Sequence, residues 1–225
     1  MTRLMALALL LFAATANAAT VTVNGDNVKF TYDDSSLYGT ATVIGNTIFF
    51  TPTTFKAESL NTAGLVQTSE SLGVTIEALA AELVISGVQL LENGDYQMSG
   101  SGTSVSAVGG LTIDSQTSAY SDSQSFNAGA LTTAGALTAW SAGTSIDLGD
   151  TAGWDTDTKV IMTLDNTLSA ESLNFGGQAF IEKKFEGTAI GISIDMTPSV
   201  VPVPAAVWLF GSALGLLGWV RFKTA

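Results

Sequence analysis

Short runs of alternating apolar and polar residues recur along the chain, separated by glycine and asparagine. In the run 188–196, Ile190, Ile192 and Ile194 alternate with glycine, serine and aspartate, which predicts one buried and one solvent-facing side. Further runs cover 21–23, 28–32, 40–44, 47–51, 159–164, 168–175 and 178–185. Many short strands and no convincing long helix predict an all-β fold, an antiparallel β-sandwich of jelly-roll type.

Glycine and asparagine pairs predict where these strands turn. Asn24-Gly25 and Gly45-Asn46 each lie between two alternating runs and predict hairpins. Asn93-Gly94 predicts another turn within 92–96, and Asp165-Asn166 is predicted to separate two strands. A helix over 77–83 competes with strands there because the segment is rich in helix formers, but the flanking β-branched residues favour strands.

Two segments have weaker patterns. Residues 53–68 show no clean period and are predicted to be a connection with room for one more strand. Residues 99–145 are dominated by Ser, Thr, Gly and Ala, a composition that is also found in disordered linkers. Apolar residues nevertheless recur there, and Leu111-Thr112-Ile113 keeps strand alternation, so two or three short strands are predicted.

The first eighteen residues have the three parts of a secretory signal peptide. Arg3 lies beside the amino terminus, an apolar core covers 4–14, and the small residues Ala16 and Ala18 follow. Cleavage after Ala18 would start the mature chain at Ala19, leaving 19–198 as the exported domain. A membrane helix is the alternative, but the apolar core is too short to span a bilayer. The pattern therefore predicts export through the Sec machinery.

The final segment, 199–225, ends in an apolar run and a basic tail. The run 205–220 would extend about 24 Å as a helix, slightly less than the roughly 30 Å hydrocarbon core of a bilayer. It is predicted to be a single transmembrane helix, with Trp208 and Trp219 near its two ends. Arg221 and Lys223 would then hold the carboxyl terminus on the cytoplasmic side.

A proline motif precedes this run, Val201-Pro202-Val203-Pro204-Ala205. Together with the apolar run and the basic end it resembles the PEP-CTERM sorting signal, in its VPxPA-type variant. The resemblance implies recognition and cleavage near the prolines by an exosortase, a membrane-embedded cysteine transpeptidase-like enzyme, and only transient anchoring in the inner membrane. Two departures are a valine where the family name expects glutamate, and two separated bases where an arginine cluster is usual. An anchor that is never cut is the alternative.

Composition excludes several functions. The chain has no cysteine and no histidine, which excludes disulfides, thiol nucleophiles, Ser-His-Asp triads and the usual zinc sites. All twenty acidic residues lie between Asp26 and Asp195 with only five of the eight basic ones, so the exported part carries a formal charge of −15. Such a surface repels phosphate backbones, so nucleic acid is not an expected partner.

The function predicted from these features is non-enzymatic: a structural or adhesive protein of the cell surface or extracellular matrix, linked to exopolysaccharide or biofilm. The alternative is a carbohydrate-binding module or a carbohydrate-active enzyme at the cell surface. An extracellular polysaccharide would be the partner in either case.

One acidic loop is a candidate metal site. Asp147, Asp150, Asp155 and Asp157 place four carboxylates within eleven residues, and hard oxygen ligands of this kind suit Ca²⁺. Their spacing does not match the EF-hand loop. A solvated acidic loop without a cofactor is the alternative.

Two tryptophans flank that loop. Trp140 and Trp154 would stack on sugar rings if exposed, whereas packing in the core is the commoner position of tryptophan in an all-β domain. Lys183 and Lys184 are expected to form a solvated patch. A lysine-to-asparagine isopeptide link would suit a cysteine-free surface domain, but no sequence motif supports one.

Overall fold

The chain forms two antiparallel β-sheets in a computed structural model that describes residues 19–34, 36–149, 154, 157–184, 189–199, 210 and 212. Thirteen strands, β1 to β13, lie in the described residues: Thr20–Asn24, Val28–Asp33, Thr40–Ile44, Thr47–Thr51, Lys56–Leu60, Gly64–Ala78, Leu83–Ser99, Thr103–Ser115, Ser121–Asn127, Thr138–Asp147, Lys159–Ser172, Gln178–Glu182 and Ile190–Pro198. The all-β prediction is therefore confirmed.

The first sheet has the strand order β1-β2-β6-β11-β8-β9. Its centre is built from three long strands, since β11 pairs along its whole length with β6 on one side and with almost the same span of β8 on the other. The second sheet has the order β3-β4-β13-β7-β12-β5, and β10 pairs with the other edge of β7.

Along one edge of β7, the second sheet is interrupted between two strands. Strands β12 and β13 follow one another along the same edge of β7, with β12 ending opposite Asp95 and β13 beginning opposite Glu92. On the outer side, β5 pairs with β12 and β4 pairs with β13. The chain leaves the sheet between β12 and β13, immediately after Glu182.

The core lies between the two sheets and draws apolar side chains from both. Phe30 and Leu111 of the first sheet and Phe50, Val88 and Ile192 of the second are completely buried. Alternation produces this layer, because successive side chains of a strand point to opposite faces. Each such side chain contributes roughly 1.5–3 kcal/mol of burial free energy, so the shared core holds the sheets face to face.

Most of the local predictions are confirmed. The two hairpins form between β1 and β2 and between β3 and β4. One strand, β5, and the start of β6 occupy the unpatterned segment 53–68, and β8, β9 and most of β10 occupy the segment rich in small residues. The helix alternative over 77–83 is wrong, because β6 ends at Ala78 and a short turn leads to β7.

Two predicted turns are wrong. Asn93-Gly94 lies inside β7, and Asp165-Asn166 lies inside β11. In the first case the glycine allows close approach in place of a turn, since a Cβ on Gly94 would lie 2.6 Å from the indole nitrogen of Trp140. In the second case Asn166 faces the core, where other polar side chains satisfy it.

The predictions for the two ends fall outside this description. The signal peptide with Ala16 and Ala18, the proline motif 201–205 and the anchor residues Trp208, Trp219, Arg221 and Lys223 are not among the described residues. Ala19 is described and is exposed. Within the described part of the chain, no helix has the length and apolarity needed to cross a membrane.

Candidate functional site

Four polar side chains meet in the middle of the apolar core. Tyr38, Glu92, Asn166 and Lys183, here called the central polar cluster, are each at most 3% exposed. Burying such groups is costly unless each finds a partner, because water no longer solvates them. The four side chains are therefore stable in this position only if they satisfy one another.

Both sheets supply members of the cluster. Asn166 is in the middle of β11, at the centre of the first sheet, and Glu92 is in β7, at the centre of the second. Lys183 follows the last residue of β12, where the chain leaves the sheet, and its backbone N–H donates to the carbonyl of Phe55 at 3.0 Å. Tyr38 precedes β3. The interruption between β12 and β13 thus lets a lysine enter the core beside Glu92.

Hydrogen bonds join the four side chains. The carboxamide nitrogen of Asn166 donates to Oε1 of Glu92 at 2.7 Å and to the hydroxyl of Tyr38 at 3.0 Å. The amine of Lys183 donates to Oδ1 of Asn166 at 2.9 Å and to Oε2 of Glu92. The Tyr38 hydroxyl in turn donates to the carbonyl of Leu164 at 3.0 Å. Each oxygen of Glu92 therefore accepts from a different nitrogen.

Aromatic rings surround the amine of Lys183. The nitrogen lies 5.4 Å from the ring centroids of both Phe55 and Trp140, within the range of cation–π attraction. Tyr38 packs edge-on against Phe55, with 5.5 Å between the centroids. The indole N–H of Trp140 donates to the carbonyl of Glu182 at 3.2 Å, which fixes this ring beside the lysine. These rings separate the amine from solvent.

Burial changes the acid–base properties of the cluster. Desolvation lowers the pKa of Lys183 below its usual value of 10.5, and the nearby Glu92 opposes that effect. Burial also raises the pKa of the Tyr38 hydroxyl, so the phenol stays protonated and donates a hydrogen bond. A buried lysine whose charge is disfavoured is a better nucleophile, because the free amine becomes more accessible.

Within the described part of the chain, the four members are at most 3% exposed, so a dissolved substrate has little access to them. A reaction between the side chains themselves needs no such access. An amine, a carboxamide and a carboxyl group in mutual hydrogen-bond contact are the components of an amide exchange.

The four carboxylates predicted to bind Ca²⁺ are only partly described. Asp147 is exposed and accepts a hydrogen bond from the backbone of Gly149 at 2.9 Å. Asp157 is fully buried, and its Oδ1 accepts from Ser115 at 2.7 Å and from Thr117. Its Oδ2 has no hydrogen-bond partner among the described residues.

The other two members, Asp150 and Asp155, lie outside the described residues. Within the described part, no three acidic side chains are grouped closely enough to hold a metal ion. The Ca²⁺ site stays a prediction. Calorimetric titration of the protein with millimolar Ca²⁺ tests it, and absence of heat would refute it.

The tryptophans do not form a sugar-binding surface. Trp140 is 4% exposed and Trp154 is 2% exposed, so neither ring presents a face for stacking on a sugar. The core-packing alternative is the correct one for both residues, because Trp140 covers Lys183 and the ring of Trp154 lies near that of Tyr120.

The predicted solvated lysine patch is confirmed for one of its two residues and wrong for the other. Lys184 is exposed as expected, but Lys183 is buried because it turns into the core to meet Glu92.

One signal in the sequence points to the cluster. Leu164, Asn166 and Leu168 keep the period of two, so an unbroken strand would place Asn166 on the buried face. No protein-family model matches the chain, and a search of curated proteins finds no match either.

Proposed function

We propose that the chain is an exported bacterial protein of the cell surface or extracellular matrix, released from a membrane intermediate by an exosortase. The observation that carries the proposal is the order of parts in the sequence: a signal peptide, an acidic domain without cysteine, and a terminal proline motif with apolar run and basic end. Its role is structural or adhesive, within exopolysaccharide or biofilm.

The domain suits such a role. Its chain passes repeatedly from one sheet to the other. The first sheet contains β1, β2, β6, β8, β9 and β11, and the strands between them in the sequence belong to the second sheet. This interleaving supports a sandwich of jelly-roll type, in which distant parts of the chain are neighbours. The formal charge of −15 favours solubility outside the cell once the tail has been removed.

Mass spectrometry of the protein recovered from the bacterial surface tests the sorting proposal. We expect a new carboxyl terminus near the motif 201–205, and a double variant with Pro202→Ala and Pro204→Ala that accumulates uncut in the membrane fraction. A mature surface protein that still ends at Ala225 would overturn the processing step.

A carbohydrate-binding module is the second candidate, and one surface feature favours it. An open groove of about 690 Å³ crosses the first sheet, lined among others by Ser69, Gly110, Ser125, Asp165 and Thr167. Its size falls in the usual range for small-ligand sites, and its hydroxyl and carboxylate groups suit sugar hydroxyls. A glycan array tests this candidate: binding of one sugar that is lost in Asp165→Ala would support it, and no binding to any glycan would refute it.

A further inference from the structure

An amine and a carboxamide lie in contact in the buried core between the two sheets. The nitrogen of Lys183 is 2.9 Å from the carboxamide oxygen of Asn166, so the carbon bonded to that oxygen is within reach of the amine. Glu92 contacts both nitrogens that an amide exchange would involve, the Lys183 amine through Oε2 and the Asn166 carboxamide through Oε1. This is the arrangement that a self-catalysed exchange of one amide for another requires.

We propose that Lys183 and Asn166 become joined by an intramolecular isopeptide bond, with Glu92 as the proton carrier. The bond would link the centre of the first sheet to the end of β12 in the second. It is a covalent modification of the domain that does not depend on the sorting proposal. A chain without cysteine would thereby acquire a cross-link that reducing conditions do not break.

The reaction balances without any other reagent. The Lys183 ammonium first passes a proton to the Glu92 carboxylate, and the uncharged amine then attacks the carboxamide carbon of Asn166, forming a carbon–nitrogen bond. Glu92 takes a proton from the attacking nitrogen and delivers one to the leaving nitrogen. The original carbon–nitrogen bond of the carboxamide then breaks and ammonia leaves. Ammonium, carboxylate and carboxamide give a secondary amide, ammonia and a protonated Glu92; no electrons are gained or lost, and the net charge of the site stays zero.

The surroundings favour this reaction. Glu92 and Lys183 side chains are 1% and 0% exposed, and a buried ion pair bears a large desolvation cost that the neutral amide product does not. Phe55 and Trp140 exclude water from the amine, which protects the carboxamide from competing hydrolysis. Tyr38 holds the leaving nitrogen of Asn166 through a 3.0 Å hydrogen bond. The reacting groups are therefore positioned and dry before any bond changes.

Intact mass spectrometry of the full chain tests the proposal. We expect the purified protein to be lighter, by one molecule of ammonia, than the mass calculated from its observed termini. A protein with the full calculated mass would overturn the proposal. The result does not depend on any variant, so a substitution that impairs folding cannot obscure it.

Peptide mapping then locates the loss. A glutamate-specific protease cleaves after Glu171 and Glu182, both between the two linked residues. We expect the peptide containing Asn166 to stay joined to the peptide containing Lys183 after this digestion. Loss of ammonia that maps instead to a cyclised Asn93-Gly94 or Asn24-Gly25 would overturn the proposal, because such rings form without a lysine.

Variants separate the roles of the three residues. Lys183→Arg and Asn166→Ala should each have the full calculated mass, and so should the isosteric Glu92→Gln, whose near-ultraviolet circular dichroism reports whether it is folded. Lys184→Arg is the matched control, since Lys184 is the exposed neighbour and should leave the cross-link intact. A folded Glu92→Gln variant that still loses ammonia completely would overturn the role of Glu92, and a Lys183→Arg variant that does so would overturn the bond.

Discussion

The side-chain nitrogen of Lys183 lies 2.9 Å from the carboxamide oxygen of Asn166, although one residue follows a strand of the second sheet and the other is central in the first. The contact spans the thickness of the sandwich. Separation of the sheets must break it, so whatever strengthens this contact stabilises the whole fold.

Replacing Asn166 by alanine should therefore lower the free energy of unfolding substantially. A covalent link between Asn166 and Lys183 closes a short loop, and by analogy with disulfides a loop of about 15 residues contributes roughly 3 kcal/mol. Urea denaturation of Asn166→Ala against the unmodified chain measures the loss. Asn174→Ala is the control, because Asn174 is exposed and its side chain donates only to Ser101 among the described residues. Equal stability of the two variants would contradict the prediction.

Replacing Tyr38 by phenylalanine should destabilise the domain by about 1–3 kcal/mol. The change keeps the buried ring but removes the hydroxyl that donates to the carbonyl of Leu164, and a buried group that loses a hydrogen-bond partner carries a desolvation cost. Tyr32→Phe is the control, since that ring also packs edge-on, against Phe50, but lies outside the central polar cluster. The comparison uses urea midpoints, and a larger loss for the control would count against the cluster.

Replacing Gly94 by alanine should destabilise the domain by about 1–3 kcal/mol through overpacking. The added carbon would lie 2.6 Å from the indole nitrogen of Trp140 and would also meet the carbonyl of Glu182, so the ring that covers Lys183 must move. Gly73→Ala is the control, because nothing lies within 4 Å of the equivalent position. Thermal unfolding followed by tryptophan fluorescence compares them, and matching melting temperatures would show that the close packing is unimportant.

Local signals in the sequence were sufficient for much of the fold. The hairpins around Asn24-Gly25 and Gly45-Asn46 form as predicted because a two-residue turn and its flanking alternation lie within about ten residues of one another. The buried face of β13, with Ile190, Ile192 and Ile194, follows from the same period of two. Such features need no knowledge of distant residues.

The candidate site depends on distant residues and was therefore missed. Glu92 and Asn166 are 74 positions apart. Glu92 precedes Asn93-Gly94 and Asn166 belongs to Asp165-Asn166, and because both dipeptides are typical of turns, the sequence predicts turns at both places. The sequence does not distinguish Lys183 from its exposed neighbour Lys184. The difference in burial depends on the gap between β12 and β13, which only the structure shows. The inward position of a polar side chain is stable only when its partners arrive from the other sheet, and the alternation pattern of one strand does not contain that information.

Glu77 provides a prediction for pH dependence. It lies opposite both Lys29 and Lys159, with nitrogen–oxygen distances of 3.1 and 3.4 Å, and the hydrogen bond from Lys29 is the main reason that its pKa is lowered from 4.5. Because the folded-state pKa is below the unfolded one, the stabilisation is complete above the unfolded pKa and is lost as pH falls through the folded value.

We therefore expect Glu77→Gln to be less stable than the unmodified chain at pH 7, by less than about 1 kcal/mol because the pair is partly exposed. The difference should disappear near pH 2 and shrink in concentrated salt, since both conditions weaken the ion pairs. Urea denaturation at the two pH values measures it, with Glu58→Gln as the control, an exposed glutamate of β5 outside these pairs. A difference that stays constant with pH would mean that Glu77 stabilises the sheet by packing, because glutamate and glutamine at this position differ in charge at pH 7 and are both uncharged near pH 2.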